Sequence, residues 1–153
     1  MKELKVGDTI PHFIAKDATG NEFDSKSLVG QKPLVIYFYP KDNTPGCTTE
    51  ACSFRDLYED FKDFGAEVIG ISSDSVGSHQ KFAKQFKLPF ILLSDSDKKI
   101  RKLFGVPTGM FGLLPGRVTY VTDKNGVVQM IFDSILATKH IPKALEAIKK
   151  LAV

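Results

Sequence analysis

The chain of 153 residues has no tryptophan, two cysteines and three histidines. Two cysteines cannot staple a small secreted scaffold, and a chain long enough for an ordinary core does not need stapling. They are core filler or chemistry, and composition does not choose between these. Cys47 and Cys52 do not have a zinc half-site spacing, and His12, His79 and His140 are spread along the sequence, so no metal centre is expected. A Cys–His hydrolase is equally unsupported, because no histidine lies in an identifiable catalytic context. No apolar run approaches the ~20 residues of a membrane span. The segment Met1–Asp8 lacks the apolar core of a signal peptide and the Arg-rich, acid-poor character of a transit peptide. A cytoplasmic protein with no membrane partner is the expectation, and the low cysteine count fits a reducing compartment. The net charge of +3 includes no basic block, which disfavours nucleic acid as a partner.

What is present is ordinary globular material, with 42% hydrophobic and 25% charged residues. The sequence has no repeat, low-complexity tract or Pro/Gly/Ser linker, so one domain over residues 1–153 is expected. Leu34–Tyr39, bounded by Pro33 and Pro40, is apolar without alternation and predicts a strand buried on both faces. A helical pattern runs from Thr44 to Phe64, with Gly65 at its C-cap. Glu67–Ser72 and Phe90–Leu93 read as further strands, while Ser78–Lys87 and Asp97–Phe104 read as helices. Val118–Thr122 and Val127–Asp133 flank Asp123-Lys124-Asn125-Gly126, a hairpin signal. Ile141–Leu151 reads as a final amphipathic helix, and a weaker hairpin surrounds Asp17–Asn21. Alternating strands and helices, then a hairpin and a helix, predict an α/β thioredoxin-like sandwich. Its mixed central sheet is flanked by helices and carries an N-terminal β-hairpin extension. Residues 107–115 read as a loop covering the core, although Met110, Phe111, Leu113 and Leu114 give it a surface that a pocket or partner could use.

The informative stretch is Pro40-Lys41-Asp42-Asn43-Thr44-Pro45-Gly46-Cys47-Thr48-Thr49-Glu50-Ala51-Cys52. Thr44 then Pro45 is a helix-start signature: an N-cap hydroxyl, then a proline at N1. Gly46 falls at N2 and Cys47 at N3. First-turn amides have no helical partners and favour an anion, so a thiolate at Cys47 is preferred there over a thiol. The place, just past the C-terminal end of a buried strand, is where α/β sheets put their sites. Cys52 lies five residues on, which in an intact helix means ~7.5 Å of rise and ~500° of turn. A disulfide tolerates a Cα separation of only ~4.4–6.8 Å, so the two could bond only if the helix start unwound. The residues alone leave Cys52 open between that role and a buried helix position. Of three arginines, Arg55 and Arg101 lie in expected helices, where a solvated face is the default. Arg117 stands at the edge of the core, where its planar fork could face a thiolate.

Those thirteen residues resemble the P-x-x-x-T-x-x-C signature of the peroxiredoxins. The second cysteine five residues after the first is similar to the Q type, also called bacterioferritin comigratory protein. Ile71–Ser75 with Ser78-His79, Leu88–Phe90 with Leu93–Asp95, Phe104–Val106 and Gly116-Arg117 follow in that family's order, so the likeness spans Val6 to Leu151. The resemblance implies a thiol peroxidase for hydrogen peroxide and organic hydroperoxides. In it Cys47 is the peroxidatic cysteine and Cys52 the resolving one, forming an intramolecular disulfide after local unwinding. Thr44 hydrogen-bonds thiolate and peroxide, Pro40 shields the pocket, and Arg117 holds the thiolate. The backbone amides of Gly46 and Cys47 complete the cradle, and Glu50 orients the arginine. Thioredoxin or a similar dithiol would re-reduce the disulfide, with no cofactor or metal, and the working unit is expected to be a monomer. A thioredoxin-like disulfide reductase is disfavoured, since four residues and not two separate the cysteines. A redox sensor or holdase would share the disulfide but lack fast oxidation of Cys47.

Overall fold

A computed structural model describes residues 3–106, 108–109, 114–134 and 136–151. Its elements are β1 (Ile14–Asp17), β2 (Glu22–Asp24), β3 (Leu34–Phe38), α1 (Pro45–Asp56), α2 (Tyr58–Asp63), β4 (Glu67–Ser72) and α3 (Val76–Phe86). They continue as β5 (Ile91–Ser94), α4 (Lys99–Phe104), β6 (Thr108–Gly109), β7 (Leu114–Pro115), β8 (Val118–Thr122), β9 (Val128–Asp133) and α5 (Ala137–Leu151). Seven strands form one sheet in the order β2-β1-β5-β4-β3-β8-β9. The pairs β3–β4 and β4–β5 are parallel, while β3–β8, β8–β9 and β1–β5 are antiparallel. This is the expected thioredoxin-like mixed sheet, with the β1–β2 hairpin extending one edge.

Every residue of β3 is buried, as its unbroken apolar run predicted. Because side chains alternate across a strand, β3 feeds two apolar layers. Val35 and Tyr37 join Phe54, Phe61, Phe82, Ile141, Ala144 and Ile148 from α1, α2, α3 and α5. Leu34, Ile36 and Phe38 join Ile100 and Phe104 of α4 on the other face. The same alternation places Arg117, Thr119 and Val121 on the side of β8 that faces α1 and α5.

Five expectations are corrected. The helix from Thr44 to Phe64 divides at Leu57 (φ −105°, ψ 7°), which accommodates the Tyr58 hydroxyl's 2.7 Å bond to Glu67 Oε1 while Phe54 and Phe61 stay in one cluster. The C-terminal helix starts at Ala137, four residues before Ile141, with Pro142 inside it. The amide hydrogen that Pro142 lacks would have met the carbonyl of Thr138, an exposed residue that water can reach. Arg101 does not lie on a solvated face. It is buried, with Nη1 donating to Gly116 O at 3.3 Å and its guanidinium over the Phe38 ring, because so short a helix turns Ile100, Arg101 and Phe104 inward together. Arg55 is half-buried and donates to Phe86 O at 2.8 Å. Within 107–115, Thr108–Gly109 pairs with Leu114–Pro115 as a short antiparallel ribbon; Met110, Phe111 and Leu113 lie outside the described residues.

Gly70 shows how closely β3 and β4 pack. A Cβ there would stand 2.8 Å from the Tyr37 ring and hydroxyl and 2.9 Å from Leu92. Replacing a strand glycine by alanine usually stabilises, but Gly70→Ala is expected to lower stability by about 1–3 kcal/mol through overpacking. The check is the urea midpoint at unchanged m-value, and a variant as stable as the parent contradicts the packing account.

Candidate active site

The site is built on the N-terminus of α1. Thr44 occupies the N-cap in an extended conformation (φ −86°, ψ 154°), Pro45 follows at N1, and Thr48 N closes the first helical bond to Thr44 O at 2.8 Å. Cys47 therefore lies at N3, as its spacing predicted, and is 1% exposed. The expected cap from the Thr44 hydroxyl is absent. Its Oγ1 instead donates to Lys41 O at 2.9 Å, which tightens the turn leading into the helix.

That turn is tethered through Asp42. Its amide donates to Asp74 Oδ2 at 2.9 Å, and its carboxylate accepts from Tyr39 Oη at 2.6 Å and Ser78 Oγ at 2.9 Å. His79, fully buried on α3, meets the same carboxylate through Nδ1 at 2.6 Å and donates from Nε2 to Leu93 O. Asp42, Asp74 and His79 could converge on a cation. Their polar atoms are already committed to Ser72, Ser78, Tyr39 and one another, so the cluster reads as a tether for the Pro40–Thr44 turn. Pro40, half-buried, begins that turn directly after the buried Tyr39.

Seventy residues beyond Cys47, Arg117 enters from the start of β8. Nη2 donates to Cys47 Sγ at 3.3 Å and Nη1 to Glu50 Oε1 at 2.6 Å. One planar fork thus spans the N3 sulfur and a carboxylate one helical turn later. Gly46 makes the approach feasible: a Cβ there would stand 3.1 Å from Arg117 Nη2. Burial works against the guanidinium charge, but Glu50 and Cys47 outweigh it and hold the group above its ordinary range. Glu50 is fully buried. Desolvation pushes its carboxyl up to about 7, although Arg117 pulls the other way.

Cys47, Arg117, Glu50 and Gly46 come together, whereas Cys52 is a free, half-buried cysteine on the same unbroken α1. An anion at the Cys47 sulfur would be met by one fixed cation and by first-turn amides. That arrangement suits a nucleophilic thiolate. Comparison with known proteins settles the family: the profile described as AhpC/TSA matches residues 6–131. The chain belongs to the AhpC/TSA family. It is 54% identical over 146 residues to a chloroplastic peroxiredoxin Q of Sedum lineare, covering 95% of this chain and 78% of that protein. Among solved structures it is similar to the peroxidoxin BcpB of Mycobacterium tuberculosis, with a TM-score of 0.89 and 37% identity over 97% of this chain and 99% of that one. It is also similar to the bacterioferritin comigratory protein of Xanthomonas campestris, with a TM-score of 0.85 and 31% identity over 95% of this chain and 100% of that one. The resemblance to Q-type peroxiredoxins read from the sequence is borne out.

The expected cytoplasmic location is overturned, because the plant relatives within the AhpC/TSA family carry the name chloroplastic. The low cysteine count bears on whether a compartment is reducing, and it does not tell one reducing compartment from another. Two side chains at this AhpC/TSA site escaped the sequence reading. His140 of α5, fully buried, has Nδ1 2.8 Å from Thr119 Oγ1 and 3.7 Å from Glu50 Oε2, and its Nε2 donates to Ser134 O at 2.6 Å. Tyr37 of β3 has a buried hydroxyl that lies over Gly70 and has no hydrogen-bond partner among the described residues; burial, with the charge of Glu50 adding to it, holds that hydroxyl well above the usual phenol range. The available signal for His140 was its place three residues after Ala137 and four before Ala144, on the buried stripe of a helix that begins earlier than expected.

Glu50 carries a stability consequence. Its carboxyl titrates near 7 when folded and near 4.5 as a free side chain, so folding favours the protonated form. Stability from this group is fully present below about pH 4.5 and is lost as pH rises to about 7, on the order of 3 kcal/mol in all. Glu50→Gln has no such charge to bury. Its Tm, relative to the parent, is expected to climb between about pH 5 and pH 7.5, and a pH-independent difference contradicts the assignment.

Proposed function

We propose that this chain reduces hydrogen peroxide and organic hydroperoxides at Cys47, resolves the product with Cys52, and is re-reduced by thioredoxin or a similar dithiol. The observation that carries the reading is the Arg117 bond to Cys47 Sγ at the first turn of α1. The bacterioferritin comigratory protein of Xanthomonas campestris has alkyl peroxide reduction activity, which supports the substrate class.

The Cys47 thiolate attacks the near oxygen of ROOH. The S–O bond forms as the O–O bond breaks, and the departing RO⁻ takes a proton to leave as alcohol or, from hydrogen peroxide, as water. Arg117 and the amides of Gly46 and Cys47 stabilise charge on the oxygens, as an oxyanion hole does. Thr44 exchanges its Lys41 partner for the peroxide, Pro40 keeps bulk water off the sulfur, and Glu50 aims the guanidinium. Cys52 then attacks the sulfenic acid, releasing water and forming the Cys47–Cys52 disulfide. A dithiol reduces that bond and leaves as its own disulfide, so one peroxide consumes one dithiol. Sulfur supplies both electrons, so the balance calls for no haem, flavin or metal. Both cysteines belong to one helix of one chain, which supports a monomer as the working unit.

Cys47→Ser is expected to abolish peroxide consumption coupled to a thioredoxin system. Cys52→Ser keeps the first oxidation and stops at the sulfenic acid unless an external thiol resolves it. Peroxide turnover retained in Cys47→Ser contradicts the reading.

A further inference from the structure

Behind Arg117 the site continues into His140 and Thr119, which the chemistry above does not use, and into the second oxygen of Glu50. Glu50 gives Oε1 to Arg117, but its other oxygen, Oε2, is buried and has no hydrogen-bond partner among the described residues. Buried carboxylate oxygens are rarely left so, because each unmet acceptor costs desolvation energy. The groups facing Glu50 are few. Arg117 bonds it directly and holds Cys47 of the same helix beside it, His140 of α5 approaches it with Thr119 of β8 as its own partner, and the Tyr37 phenol of β3 feels its charge. Arg117 only donates, and Tyr37 stays a phenol.

His140 differs. Its Nε2 donates to the carbonyl of Ser134, so in the neutral ring Nδ1 carries a lone pair. Burial holds the ring below the usual histidine range, the Ser134 carbonyl opposes this, and the charge of Arg117 adds to it. Nδ1 therefore accepts from Thr119 Oγ1 at 2.8 Å and faces Oε2 at 3.7 Å. With Glu50 ionised, two acceptors face each other with nothing between them. One proton supplies the missing donor, and a contraction of under an ångström gives Oε2 a hydrogen bond to Nδ1.

We propose that His140 is a positioning residue for peroxide reduction: it shares a single proton with Glu50 and thereby sets how firmly Glu50 holds Arg117 against the Cys47 sulfur. When the proton is absent, a full carboxylate fixes the guanidinium. When solvent delivers it to Oε2, the charge on Glu50 is neutralised, the bond to Nδ1 replaces that from Thr119, and the hold on Arg117 weakens. Removing the acceptor disfavours the proton, while removing the competing Thr119 hydroxyl favours it, so the two changes act in opposite directions. A role limited to packing would give no such opposition.

The inference rests on the thiol-peroxidase reading, and its test separates the two. The rate of Cys47 oxidation by hydrogen peroxide is measured across pH by competition with a haem peroxidase, and divided by the thiolate fraction read from ultraviolet absorbance. In the parent this ratio is expected to fall on acidification with a midpoint near neutrality. His140→Phe keeps a ring against Phe132 and is expected to move the midpoint at least about half a unit to lower pH, about threefold in proton affinity. Thr119→Val, which tests the same idea should His140→Phe fail to fold, moves it to higher pH. Glu50→Gln abolishes the midpoint and is slow throughout. Variants that lower the ratio by a constant factor at every pH, with the midpoint unmoved, overturn this inference alone. A parent that consumes no peroxide overturns the thiol-peroxidase reading, and this inference with it.

Discussion

The double contact of Arg117, 3.3 Å to the Cys47 sulfur and 2.6 Å to Glu50, is the interaction on which the rest of the site depends. A guanidinium and a carboxylate taken out of water cost several kcal/mol each before their attraction repays any of it. The fold offsets this by convergence: α1 brings the sulfur and the carboxylate one turn apart, β8 brings the arginine, and α5 closes the back with His140. Burial keeps Glu50 easy to protonate at neutral pH, so the pair is held with little margin. A site with more margin would be more stable and less responsive, a familiar trade at functional positions.

The second constraint is helical geometry. Cys47 and Cys52 share one continuous helix, and five residues of α-helix place them too far apart, and too far around the axis, to bond. A disulfide between them therefore requires that the start of α1 opens. The helix is suited to opening from that end only. Ala51 and Phe54 are anchored in the apolar layer with Tyr37, and Arg55 is tied to the carbonyl of Phe86. The first turn is held by the burial of Cys47 alone in that layer and otherwise by polar contacts: Thr44 to Lys41, Thr49 to Pro45 and Cys47 to Arg117. Oxidation of the sulfur changes the last of these, because a neutral sulfenic acid gives the guanidinium no anion to hold. Chemistry at Cys47 and release of its helical turn are thus linked through one contact.

Much of this was legible in the residues because it is local. Thr-Pro-Gly before Cys47 announces a helix start in three letters, and the unbroken run Leu34–Tyr39 announces the strand that aims it. The residues that escaped are those whose roles depend on distant partners. Arg101 looks like a solvent-facing helix residue until Phe38 and Gly116 are placed beside it. His140 has no motif, and it stands one residue before the Ile141 at which the apolar stripe starts the expected helix. Thr119 reads as one more strand residue until the alternation of β8 turns it toward α5. The Thr44 hydroxyl was placed at the right position with the wrong partner, because the N-cap pattern does not see the turn made by Lys41.

The most direct test of the central claim, that resolution proceeds by opening the start of α1, is hydrogen exchange read by mass spectrometry before and after one equivalent of peroxide. The oxidised protein is expected to lose two hydrogens in a peptide linking Cys47 to Cys52. Amides over residues 46–52 are expected to exchange faster, while those of β3 and β8 keep their protection. A Cys47–Cys52 disulfide with the protection of α1 unchanged, or oxidation that leaves Cys52 a free thiol, contradicts that claim.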